Sequence, residues 1–154
     1  MKIISGGQTG VDRAALDAAI GLGIEYGGSV PKGRIAEDGP IDKKYENLTE
    51  LDTANYSIRT EKNVEDADAT LIFTVGVPTE GTAFTIECAK KHKRAHLIMD
   101  LEEKDDEVAA REIRKWLSDR LTGVLNVAGP RESKTPGVYK RIVNILFDVF
   151  DPLA

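Results

Sequence analysis

The chain has 154 residues, 41% hydrophobic and 31% charged, which fits one globular domain over 1–154 and excludes a disordered tract. A formal net charge of −5 argues against a nucleic-acid polymer or an anionic membrane as partner. A single cysteine, Cys88, excludes an intrachain disulfide. No apolar run approaches spanning length and no leader-like segment opens the chain, so a cytoplasmic location is expected.

Lys2 to Ser5 reads as a short strand running into glycines. A helix follows, with Val11, Ala14, Ala15, Ala18, Ala19 and Leu22 on a narrow small-residue face. Thr9 with Asp12 fits a capping box, and Gly21 and Gly23 bracket the helix end. Ile24 to Gly28 is a second short strand; residues 29–52 show little periodicity and read as a long functional loop. Thr53 to Asp66 is expected to be helical, with Thr53 as cap and a thin apolar face. Ala69 to Val75 is nearly all apolar, as in a buried parallel strand.

Gly81-Thr82 opens the next helix, to about Lys93, with Thr82 as cap. Ala95 to Asp100 is a strand, and Val108 to Leu121 an amphipathic helix with Ala109, Ile113, Trp116 and Leu117 inward. Gly123 to Ala128 is the final strand. The last helix is read with Thr135 as cap, Pro136 first, and Val138, Ile142, Ile145, Leu146 and Val149 on one face. Alternating strands and helices predict a Rossmann-like three-layer α/β/α sandwich with a mostly parallel sheet. Ligands then belong at the strands' carboxyl ends, where three glycine-containing turns fall: 5–10, 76–82 and 129–137.

The first turn, Gly6, Gly7, Gln8, Thr9 and Gly10, can bring backbone N–H groups to a phosphate at a helix start, although it is neither GxGxxG nor a P-loop. Arg13 is unusual in a first turn, where the dipole disfavours a cation, and an anion at the loop would justify it. In the long loop, Lys32 and Arg34 suit a phosphate, while Glu37 and Asp38 suit a ribose, a heterocycle or a hydrated metal. Arg59 and Asn63 share a helix face that faces either a pocket or surface partners such as Glu61 and Glu65. Gly81 and Thr82 mark the second helix start; Gly129, Arg131, Glu132 and Ser133 mark the third. His92 and His96 straddle a helix end and a strand, no Cys/His cluster is visible, and Cys88 reads as core, so no metal site is expected.

Ser5-Gly6-Gly7-Gln8-Thr9-Gly10-Val11-Asp12-Arg13-Ala14-Ala15-Leu16-Asp17 resembles the opening of the family named for molybdenum carriers, a circularly permuted YpsA-like branch of the SLOG group of Rossmann-like nucleotide-binding proteins. The likeness continues through residues 31–40, 56–63 and 66–73, and ends with Leu125-Asn126-Val127-Ala128-Gly129-Pro130-Arg131-Glu132-Ser133. It implies a phosphorylated small ligand, either molybdenum cofactor (a pterin bearing phosphate) or a nucleotide, and self-association into a homo-oligomer. The superfamily also holds LOG-type phosphoribohydrolases, whose Gly-Thr helix start is followed, after two residues, by a catalytic Glu. Here Thr85 takes that place and Glu87 stands two positions late, about 200° around the helix. A non-catalytic carrier is therefore the leading expectation. The alternatives are a nucleoside-monophosphate phosphoribohydrolase using Glu37 or Asp38, and a nucleotide-sensing module.

Overall fold

The computed structural model describes residues 1–151. In chain order its elements are β1 (Lys2–Ile4), α1 (Val11–Leu22), β2 (Glu25–Gly27), β3 (Ser29–Val30), a 3₁₀ turn (Lys32–Arg34), β4 (Ile35–Ala36), β5 (Gly39–Pro40) and β6 (Thr49–Glu50). Then come α2 (Tyr56–Asp66), β7 (Ala69–Thr74), α3 (Glu80–Lys91), β8 (Ala95–Asp100), α4 (Asp106–Ser118), β9 (Val124–Ala128) and α5 (Val138–Phe150).

Five strands form one parallel sheet in the order β2-β1-β9-β7-β8. All six residues of β7 are buried, as its unbroken apolar run requires. The last strand, β9, enters between β1 and β7, and its Leu125 and Val127 are fully buried. Ile4 is in register with Asn126, and Asn126 with Thr70, so β1, β9 and β7 end at one edge. Helices α1, α4 and α5 share a large core with Ile3, Leu71, Phe73, Leu125 and Val127. The alanines of α1 bring it close to both sheet and α5. On the other face α2 packs on α3 over a smaller cluster of Val64, Cys88 and Ala89. This is a Rossmann-like three-layer α/β/α fold.

All five helix starts differ from the sequence expectation; α4, expected from Val108 to Leu121, runs from Asp106 to Ser118 with Asp105 as its cap. Gly10, not Thr9, precedes α1; the Thr9 hydroxyl donates to Glu37 and accepts from the Glu132 amide, so no capping box with Asp12 forms. Asn55 caps α2 by accepting from the Ser57 amide, while Thr53 accepts from the Asn55 amide. Thr79 precedes α3 and places Thr82 inside it, buried. Helix α5 begins after Gly137, not at Pro136, and the Glu132 carboxylate, rather than Thr135, accepts the amides of Gly137 and Tyr139 at 2.7 and 2.9 Å. At α2 and α5 a side chain better placed in space takes the amides that the expected Thr would have taken.

Residues 29–52 are also more ordered than a plain loop. They form a parallel ladder, β3–β6, and an antiparallel one, β4–β5. Val30, Ile41 and Tyr45 pack with Leu16 of α1 in a core of their own. These side chains are too widely spaced to show a period.

Candidate functional site

A cavity of about 730 Å³ opens where β1, β7 and β9 end, between the three glycine turns and the N-terminal half of α2. Of the expected site residues, Gly6, Gln8, Arg59 and Asn63 line it, as do Gly81, Thr82, Gly129 and Arg131. Gly7, Thr9, Gly10, Arg13, Lys32, Arg34, Glu37, Asp38, Glu132 and Ser133 are not among its lining residues.

At the wall formed by α1 and α2, Arg59 Nη1 donates to Asp12 Oδ2 at 3.1 Å, and the Gln8 amide donates to the same oxygen at 3.3 Å. Arg59 thus pairs inward, not with Glu61 or Glu65. Gly6 permits this approach: a Cβ there would lie 1.7 Å from Arg59 Nη1. Burial pushes the Asp12 carboxyl above its ordinary value, opposed chiefly by the charge of Arg59. Asn63 is buried and clamps β3, accepting from the Ser29 amide and donating to the Ser29 carbonyl at 2.8 and 3.0 Å. The guanidinium carbons of Arg59 and Arg131 lie 5.3 and 5.7 Å from the Tyr56 ring centroid, so one ring holds two cations at the cavity. Lys134 adds a third positive lining residue; Asp12 and Glu80 are its carboxylates.

Several amides of the first glycine turn have partners inside the protein. The amides of Gly7, Gln8, Thr9 and Val11 donate to Ser5 Oγ, Asp12 Oδ2, Gln8 Oε1 and the Pro130 carbonyl. Its glycines also permit close packing. At α3 the arrangement differs: Gly81 lines the cavity and a Cβ there would meet nothing within 4 Å.

Of the charged residues of the long loop, Arg34, Glu37 and Asp38 have partners inside the protein. Arg13 donates to the Gly7 carbonyl and pairs with Asp38 at 3.1 Å. Arg34 binds the carbonyls of Ile41, Asp42 and Tyr45, and Lys32 is exposed. Glu37 accepts from the Thr9 hydroxyl and from the amide and hydroxyl of Ser133, tying its loop to two others. Burial raises the Glu37 pKa, but these bonds outweigh it and hold the group below its ordinary 4.5. The Arg13 hydrogen bond likewise lowers Asp38. Both carboxylates are stabilised ionised and lie off the cavity, which suits neither to general-acid work.

Glu37→Gln is therefore expected to destabilise the fold by about 1–2 kcal/mol at pH 7. A lowered carboxylate contributes stability above its unfolded pKa and loses it as pH falls through the folded one. Urea titrations should show wild type and variant converging below about pH 4; a pH-independent gap would contradict the assignment.

On α3, Thr85 is buried, lines the cavity and donates to the Gly81 carbonyl at 3.2 Å, while Glu87 is exposed and off the lining. Sequence reasoning missed Asp12, read as a cap, and also Tyr56, Phe84, Asn126 and Lys134. The thin apolar face of α2 was the available signal, since a helix with few core residues has a polar side to explain. Glu61, Glu65 and His92 also meet between α2 and α3, away from the cavity, where Glu61 bonds both His92 Nε2 and Lys91 Nζ at 2.9 Å.

Comparison with known proteins agrees with this architecture. No curated protein matches the chain. The chain is similar to a crystal structure of a protein from Syntrophus aciditrophicus SB named "Putative molybdenum carrier protein", at 48% identity and a TM-score of 0.94, over 97% of this chain and 94% of that one. The model of the circularly permutated YpsA SLOG family matches residues 3–150. The chain belongs to the circularly permutated YpsA SLOG family.

Proposed function

We propose that the chain holds a small phosphorylated ligand in this cavity and releases it unchanged, as a cytoplasmic carrier. The observation that carries this reading is the pairing of a cation-lined cavity with a threonine, Thr85, at the place on α3 where the hydrolases carry their glutamate. Arg59, Arg131 and Lys134 line the space with the start of α3, whereas Thr85 occupies the place of the hydrolases' glutamate. Molybdenum cofactor is the candidate cargo, by the likeness to molybdenum carriers, and a nucleotide is the alternative. Incubation with nucleoside monophosphates is expected to give binding without free base, and protein purified without chelators to carry molybdenum and an extractable pterin. Release of base would establish a phosphoribohydrolase instead.

Arg131→Ala should weaken a phosphorylated probe by roughly 10- to 150-fold, the worth of one charge-assisted bond. Arg34→Ala should leave affinity intact, because Arg34 binds loop carbonyls away from the cavity. Calorimetric titration with ribose 5-phosphate reads both. Equal affinity in wild type and Arg131→Ala would place the phosphate elsewhere.

A further inference from the structure

Resting on the reading of this cavity as the site of a phosphorylated ligand, we infer that its α1–α2 wall reads a neutral carbonyl oxygen, through Gln8 Nε2 and Arg59 Nε, so that the ligand's far end is an oxo-substituted heterocycle.

The amide of Gln8 has only one workable orientation. Its Oε1 accepts two backbone amides, from Thr9 at 3.0 Å and Glu37 at 2.8 Å, so Nε2 is the atom left over. That Nε2 is buried with no hydrogen-bond partner among the described residues, and so is Arg59 Nε. Gln8 and Arg59 are only 6% and 8% exposed, and both line the cavity. Native proteins rarely leave such donors orphaned; these two lie just beneath the wall of one ligand-sized cavity, in side chains that line it, and an acceptor brought by a ligand reaches them as those side chains adjust.

Charge decides what kind of acceptor. Arg59 is already neutralised by Asp12 at 3.1 Å, both with side chains at most 10% exposed. A phosphate at the two orphan donors would face the Asp12 carboxylate in a poorly solvated place, where like charges repel strongly. A neutral carbonyl takes the same N–H bonds without that penalty. Asp12 Oδ1, which makes no protein hydrogen bond among the described residues, can accept an N–H adjoining the carbonyl, as in a lactam ring edge. Phe84 lines the same cavity and gives it apolar ring surface against which a planar heterocycle can pack. The phosphate then belongs with Arg131, Lys134 and the start of α3, where Glu80 is exposed to solvent and Glu37, 3.8 Å from Arg131 Nη1, is engaged by Thr9 and Ser133.

Inosine and adenosine monophosphates test this, since they differ in an oxo against an amino group on the same ring. Calorimetry on wild type should give inosine monophosphate roughly 10-fold or more the tighter. Gln8→Glu keeps the oxygen for the Thr9 and Glu37 amides but exchanges the donor for an acceptor, and should abolish or invert the preference. Arg59→Lys keeps the charge for Asp12, lacks Nε, and should reduce it. Ribose 5-phosphate, which lacks the ring, should bind wild type. Equal affinities, or tighter adenosine monophosphate, in wild type overturn the subsite alone if ribose 5-phosphate still binds. Failure of all three probes to bind wild type overturns the phosphorylated-ligand reading with it.

Discussion

Gly10→Ala is expected to lower the unfolding free energy by about 4 kcal/mol, from roughly 1–3 for backbone strain and a similar amount for overpacking. Gly10 has φ 77° and ψ −127°, a conformation that a residue with a Cβ strongly avoids. The added methyl would also lie 2.4 Å from the Pro130 carbonyl oxygen, 2.7 Å from the Glu132 nitrogen and 2.8 Å from the Arg131 carbonyl carbon. All three are backbone atoms, so no rotamer change relieves the contact. The turns after β1 and β9 must separate, breaking the Val11 amide bond to Pro130 and shifting Arg131 at the cavity. A melting temperature lower by roughly 10–15 °C should accompany weaker phosphate binding. Gly137→Ala is the control: its φ is 90°, yet a Cβ there meets nothing within 4 Å. It should cost only about 1 kcal/mol of strain. Equal losses in the two variants would mean that the approach of the two turns carries no weight.

The same contact shows where sequence reasoning stopped. Periodicity located α5 through Val138, Ile142, Ile145, Leu146 and Val149, and these five are its buried residues. It located β7 because a strand covered on both faces needs no alternation. Such features are local, written in the spacing of one segment. The roles of the charged residues were not local. Glu132 reads as a ligand residue until α5 is seen to present its amides to it five and seven positions on. Arg13 and Arg34 look like free cations until their carbonyl and carboxylate partners, six or more positions distant, are known. Asp12 lies within the first turn of α1, where a carboxylate is ordinarily explained by the helix itself. Only its contact with Arg59, 47 positions away, makes it part of a buried pair.

That pair gives the second large effect. Asp12→Ala should destabilise the fold by about 3–5 kcal/mol, because it strands the Arg59 guanidinium in a buried site and removes the acceptor of the Gln8 amide. Arg59→Met alone should cost a similar amount at neutral pH, since Asp12 must then ionise unpaired or take up a proton. Burial already holds that carboxyl above its ordinary value. The native state of Arg59→Met therefore binds the proton more tightly than the unfolded chain, and its stability should fall as pH rises above about 4. The double variant Asp12→Ala/Arg59→Met leaves neither charge behind and should recover most of the loss, giving a strongly non-additive cycle. Additive losses would show that the two side chains do not act as a pair. An ion pair that apolar residues can largely replace is poorly explained by stability alone. Its second consequence lies at the cavity, where Asp12 fixes the guanidinium by one nitrogen and leaves Nε without a partner among the described residues. The double variant should accordingly fold well and still lose the preference for inosine over adenosine monophosphate, separating what the pair does for the fold from what it does for the ligand.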